Sequence, residues 1–152
     1  MITAKGITQT EDRTVASSGT RTGHAPVQMR VPFAASSAPI ARQRLRQWMA
    51  ESGSSRERLE DARVIVSELV ANAIRHAQPL PDGTLLIAWH EQGPEVEITV
   101  TDGGAPTQPR AIAAPSSALA GRGMSIVETL ASSWWAERTR SRSTVHARLL
   151  ME

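Results

Sequence analysis

The sequence predicts one α+β domain, a two-layer α/β sandwich with three helices on one face of a mainly antiparallel sheet. Three observations predict it. Two consecutive segments carry apolar residues at helical spacing, two pairs of strand-like segments are each joined by a short turn-forming stretch, and a third helical segment separates those pairs. Helices segregated in this way from hairpin-connected strands pack as a layer on an antiparallel sheet. A length of 152 residues suits one such domain and is too short for two.

Residues 1–28 are rich in Thr, Ser, Gly and charge without apolar periodicity, which predicts a disordered tail, so the domain is expected over 29–152. Met29 to Phe33 forms a short strand, and Pro39 then opens a helix whose apolar residues Ala41, Leu45, Trp48 and Met49 keep helical spacing up to Ser52-Gly53. Ser54 followed by Glu57 has the capping-box pattern. Leu59, Ala62, Val66, Leu69, Ala73 and Ala77 then recur three or four apart, giving a long second helix to about Ala77. Gln78-Pro79-Leu80-Pro81-Asp82-Gly83 breaks it. Thr84 to His90 and Glu95 to Thr101 read as a hairpin, and Val96, Ile98 and Val100 alternate with Glu95, Glu97 and Thr99 as a sheet with one buried face requires. Asp102 to Ala120 is rich in Gly, Ala, Pro and Ser, and its length predicts a binding loop or lid. From Gly123 a third helix carries Met124, Val127 and Leu130, and Ser133 to Arg138 and Thr144 to Leu149 close the sheet around Arg140-Ser141-Arg142.

Composition narrows the function. Cysteine is absent, which removes disulfide and Cys-zinc frameworks, and the four histidines are scattered. The N-terminus lacks the order of a secretory signal and no apolar run nears the roughly 20 residues of a membrane span, so a cytoplasmic protein without membrane contact is expected. The pI near 10.3 reflects arginine content, since the formal charge is only +2. The clusters Arg42, Arg44, Arg46 and Arg138, Arg140, Arg142 read as solvated faces ahead of a phosphate stripe, and no direct nucleic-acid partner is expected.

Chemistry concentrates in three places. Glu68 and Asn72 are four apart, one above the other on a largely apolar helix stripe. A helix–helix hydrogen bond is the simpler use of that pair; the alternative is a carboxylate and a carboxamide serving Mg²⁺ and an attacking group. His76 extends the stripe by a turn, where the helix C-terminus favours a cationic imidazole. Asp102-Gly103-Gly104 ends a strand and reads either as a turn or as a carboxylate facing an exocyclic amine, with glycines admitting a ligand to the backbone. Gly121-Arg122-Gly123, placed immediately before the third helix, offers N–H groups and a positive helix end to phosphates. The Walker lysine motif is absent.

Taken in order, Glu68-x-x-x-Asn72-Ala73-x-x-His76-Ala77, then Asp102-x-Gly104, then Gly121-x-Gly123 before a helix, and Ser143-Thr144-Val145 near the end, the chain resembles the histidine-kinase-like ATPase superfamily over about Val31 to Leu150. That superfamily includes gyrase and heat-shock chaperone ATPases. Within it, the short chain is most similar to anti-sigma factor serine/threonine kinases and to the small ATP-binding regulators of actinomycetes. The resemblance implies a Bergerat-type ATP-binding sandwich with a mobile lid, and ATP and Mg²⁺ as cofactors. Asn72 would hold the metal, Glu68 would be the catalytic base, and Asp102 would read the adenine amino group. His76, Gly104, Gly121, Arg122, Gly123 and Met124 would frame the nucleotide and lid, with Thr144 near the adenine. It further implies a sigma factor and a small anti-anti-sigma (STAS-type) protein as partners, the latter as phosphoacceptor, and a homodimer. Two positions depart from the pattern: Pro106 stands where the wider family often has a second glycine, and Ser143 where glycine commonly precedes the threonine.

Overall fold

The computed structural model describes residues 24–105 and 118–152, with side chains from 24–105 and 124–152. Five strands and three helices follow one another as β1 (Val27–Pro32), α1 (Ser37–Glu51), α2 (Arg56–His76), β2 (Thr84–Gln92), β3 (Glu95–Asp102), α3 (Ala118–Leu130), β4 (Ser133–Arg138) and β5 (Ser143–Leu150). The spatial order of the strands is β1-β2-β3-β5-β4, and all four pairings are antiparallel. Only the step from β3 through α3 to the edge strand β4 skips a neighbour, and β5 returns to fill the gap. The three helices lie on one face of this sheet, as the sequence predicts.

The helix layer forms where apolar spacing demands it. Ala41, Leu45, Trp48 and Met49 of α1 and Ala62, Ile65, Val66, Leu69, Val70 and Ala73 of α2 are buried. They meet the inner residues of the sheet, among them Val31, Leu85, Ile87, Trp89, Val96, Ile98, Val100, Val145, Ala147 and Leu149, in one core. Alternation sets this inner face. Within the region expected as a tail, residues 1–23 lie outside the described part, whereas Ala25 already accepts a 2.9 Å hydrogen bond from Trp48 Nε1 and His24 packs edge-on against that indole.

Two helix starts differ from the sequence reading. The N-cap of α2 is Ser55, whose hydroxyl accepts from the Arg58 N–H at 3.2 Å, one residue beyond the expected Ser54. Glu57 therefore contributes through its charge in the first turn rather than as the reciprocal arm of a capping box. In α3, Gly121-Arg122-Gly123 does not precede the helix but lies inside it, since the backbone is helical from Ala118. Two glycines look like loop punctuation, yet each costs a helix only about 1 kcal/mol, which the burial of Met124 and Val127 in the core offsets. Most of the expected lid, residues 106–117, lies outside the described residues.

The opposite face of the sheet is polar and aromatic. His146 bonds Glu97 through Nδ1 and Glu137 through Nε2, each at 3.0 Å, Arg148 Nε donates to Glu97 at 3.0 Å, and the Trp135 ring stacks on the imidazole. Burial works against the Glu97 carboxylate, but the bonds from His146 and Arg148 more than offset it and hold its pKa below the ordinary value. Among the described residues, no helix is long and apolar enough to cross a membrane.

Candidate functional site

Asn72 sits on the face of α2 that packs against the core, between Leu69 and Ala73, and is only 7% exposed. Its Oδ1 is buried and has no hydrogen-bond partner among the described residues. Leaving such an acceptor unpaired costs about 1–3 kcal/mol, so the position is an unusual one for a purely structural amide. Among the described residues the simpler helix–helix hydrogen bond is not formed. Glu68, one turn earlier, is half-buried on the same stripe, and His76, one turn later, is exposed at the helix end.

The end of α2 is tied to the end of β3. Gly103 N–H donates to the Gln78 carbonyl at 2.7 Å and Gln78 N–H to the Gly104 carbonyl at 3.0 Å. A side chain at Gly103 would run into the Pro79 carbonyl, and Gly104 adopts φ +90°, so the two glycines serve different ends, close approach and a left-handed turn. The carboxylate of Asp102 accepts the Gly104 N–H at 2.7 Å and is otherwise enclosed, with 5% of the residue exposed. This clamp joins the helix end that follows Asn72 by about 6 Å of axial rise to the strand end that carries Asp102.

Register shows what shares the face of Asp102. Its cross-strand partner is Ser143, and the partner of Ser143 on β4 is Arg138. Asp102, Ser143 and Arg138 thus form one polar row at the end of an otherwise apolar inner face, and Asp102 and Ser143 are both buried. Thr144 is not in this row. It points to the opposite face, where its hydroxyl meets that of Thr101 at 2.9 Å, so the structure brings Ser143 rather than Thr144 beside Asp102. Thr144, expected near the adenine, therefore lies on the face opposite to Asp102. Met124 faces the core at 7% exposure, and of the backbone groups expected to bind phosphate, those of Arg122 and Gly123 fall past the first turn of α3, where N–H groups are bonded within the helix. A cleft of about 560 Å³ lined by His24, Glu51, Glu91 and Glu152 lies at the other end of the sheet and contains none of the candidate residues.

Burial pushes the Asp102 pKa up to about 6, with the Gly104 N–H and the charge of Arg138 acting the other way. A folded pKa above the ordinary 3.8 means that ionisation is disfavoured in the native state. The contribution of Asp102 to stability is therefore fully present below its unfolded pKa and lost as the pH rises through about 6. Urea midpoints measured for wild type and Asp102→Asn from pH 4 to 7.5 should diverge over this window, the wild type losing stability relative to the variant as pH rises. A constant difference between the two would contradict the buried placement.

A model of the Histidine kinase-like ATPase domain family matches residues 31–149. The chain belongs to this family. Over 84 residues it is 27% identical to the serine-protein kinase RsbW of Listeria innocua, a match covering 55% of this chain and 54% of that protein, so it spans about half the length of that curated relative. Its fold superposes on the RsbU and RsbW domains of Rv1364c from Mycobacterium tuberculosis with a TM-score of 0.66 and 21% identity, over 84% of this chain and 33% of that one. It also superposes on the SiaB–SiaC complex from Pseudomonas aeruginosa with a TM-score of 0.63 and 11% identity, over 81% of this chain and 88% of that one. At these identities the structural likeness is one of fold. As a histidine kinase-like ATPase domain, the chain is of a family that binds ATP, usually with Mg²⁺, and the orphaned Asn72 Oδ1 is a hard oxygen donor suited to that ion. Among the described residues no three His, Asp or Glu side chains group as a metal site.

Arg138 is the residue that the sequence reading passed over. In sequence it belongs with Arg140 and Arg142 to what reads as a solvated cluster. The signal was present in β4, where Trp134, Ala136 and Arg138 alternate with Ser133, Trp135 and Glu137, placing Arg138 on the inner face.

Proposed function

We propose that this chain is an ATP-binding regulatory protein of the anti-sigma factor type, a serine/threonine kinase that binds a sigma factor and phosphorylates a small anti-anti-sigma protein. The observation that carries the proposal is the buried Asn72 amide with an unpaired oxygen, one helical turn from Glu68 and on the helix whose end is clamped to Asp102. In this reading Asn72 is the protein's ligand to Mg²⁺, and Asp102 accepts the adenine amine. Bound Mg²⁺ neutralises phosphate charge, the principal demand of phosphoryl transfer. Glu68 accepts the proton of the incoming serine or threonine hydroxyl. The similarity to a serine-protein kinase and to the fold of a domain crystallised with SiaC supports a protein partner as acceptor.

Transfer of labelled phosphate from ATP to candidate acceptors, with the full chain and Mg²⁺, tests the proposal. Glu68→Ala is expected to slow transfer by about 10²–10⁴-fold, the range for loss of a general base, while ATP affinity stays within a few-fold of wild type. Unchanged transfer in Glu68→Ala removes that residue from the chemistry. Tight ATP binding without transfer to any acceptor favours instead a non-catalytic module in which ATP governs affinity for a protein partner.

A further inference from the structure

We infer that Arg138 sets the base selectivity of this site, by holding Asp102 as an acceptor-only carboxylate that takes the exocyclic amine of adenine and refuses the carbonyl oxygen of guanine. The inference rests on the reading of Asp102 as the base-binding residue and adds to it the residue through which selectivity is maintained.

The geometry is the polar row. Asp102 on β3, Ser143 on β5 and Arg138 on β4 are consecutive partners in register on the inner face. The backbones of Asp102 and Arg138 are two strand spacings apart, roughly 10 Å, a gap that a long arginine side chain can largely bridge over the small Ser143. Elsewhere on that face β4 carries Trp134 and Ala136, both packed against the core, so a half-buried guanidinium there departs from an apolar pattern. Burial lowers the Arg138 pKa and the Asp102 charge raises it, which is the reciprocal of the effect of Arg138 on Asp102. Other charged groups among the described residues do not take its place. On β5 the inner face presents Ser143 and Val145, while His146 turns to the other side to meet Glu97 and Glu137. On α2, Glu68 is half-buried on the Asn72 stripe and His76 is exposed. The Arg142 backbone nitrogen lies 3.7 Å from where a Cβ on Gly104 would stand.

The chemistry follows from donor and acceptor count. An ionised carboxylate only accepts hydrogen bonds, whereas a protonated one also donates. Adenine presents an N6 amine as donor and guanine an O6 acceptor at the same edge position. An Asp102 carboxylate thus pairs with adenine, and an Asp102 acid becomes able to donate to guanine. Arg138 touches neither base in this account; it is a positioning residue acting through Asp102.

The test is binding of ATP and of GTP, each with Mg²⁺, to the full chain from pH 5 to 8.5, in wild type, Arg138→Gln and Arg138→Lys. Wild type is expected to prefer ATP increasingly as the pH rises through the titration of Asp102. Removing the Arg138 charge, which acts on Asp102 less strongly than burial and the Gly104 N–H, is expected to move the midpoint of that rise upward, seen at pH values near it as roughly a few-fold loss of the ATP preference. Arg138→Lys should restore most of it. A profile for Arg138→Gln that superimposes on wild type overturns the inference, as does an equal loss of ATP and GTP affinity at every pH. If wild type binds neither nucleotide, the base-site reading falls first and this inference with it.

Discussion

Replacing Asn72 by Ala is expected to weaken ATP binding in the presence of Mg²⁺ by more than the 10–100-fold that loss of a mere outer-shell partner of a metal costs, roughly 100-fold or greater, while leaving the fold at least as stable as wild type. The two halves of this expectation come from the same observation. The Asn72 Oδ1 is buried and has no hydrogen-bond partner among the described residues, so its removal relieves a desolvated acceptor rather than breaking a bond. An asparagine kept for packing or capping would give the opposite result, a loss of stability with no selective effect on nucleotide. Thermal melts with and without Mg-ATP separate the cases. Wild type should gain stability from the nucleotide by mass action, and Asn72→Ala should gain little while starting from an equal or higher midpoint.

Gly103→Ala is expected to be the most destabilising single methyl addition in the site, costing about 2–3 kcal/mol or more and lowering the melting midpoint by about 10 °C. The new Cβ would overlap the Pro79 carbonyl oxygen and lie 2.8 Å from its carbon and 3.1 Å from the Gln78 oxygen, all backbone atoms that cannot swing aside. Relief requires parting the two hydrogen bonds that join Gln78 to Gly103 and Gly104, and with them the end of α2 from the end of β3. Nucleotide affinity should therefore fall together with stability, since Asn72 and Asp102 are held by opposite sides of that clamp. Gly104→Ala is the control. Its Cβ would meet nothing closer than 3.7 Å, and only the φ of +90° resists the change, at a cost of about 1 kcal/mol. Denaturant unfolding of the two variants decides the matter, and a Gly103→Ala protein as stable as Gly104→Ala would contradict the close approach.

The elements of the fold were legible because each is written in a local period. The spacing of Ala41, Leu45, Trp48 and Met49, and the alternation of Val96, Ile98 and Val100, state which face is buried without reference to any partner. Helix boundaries were less legible, since serines at 54 and 55 both satisfy the sequence rule for a cap and only backbone geometry selects Ser55. Glycines 121 and 123 misled for a related reason: their local preference for loops is weaker than the packing of the helix that contains them. In the candidate site, Glu68, Asn72 and Asp102 are proposed from motif order, and the structure shows only their placement. Which member of Ser143-Thr144 turns inward depends on register against β3, and the role of Arg138 depends on a neighbour two strands away. Neither is a local property of the chain.

In the proposed function this fold holds ATP through a single amide ligand to Mg²⁺ on α2 and a buried carboxylate at the end of β3. Calorimetric titration of ATP into the wild-type chain, once with Mg²⁺ and once with the metal chelated, tests it most directly. Saturable binding of one ATP per chain that weakens sharply when Mg²⁺ is withdrawn is the predicted result; absence of binding, or an affinity indifferent to the metal, would contradict it.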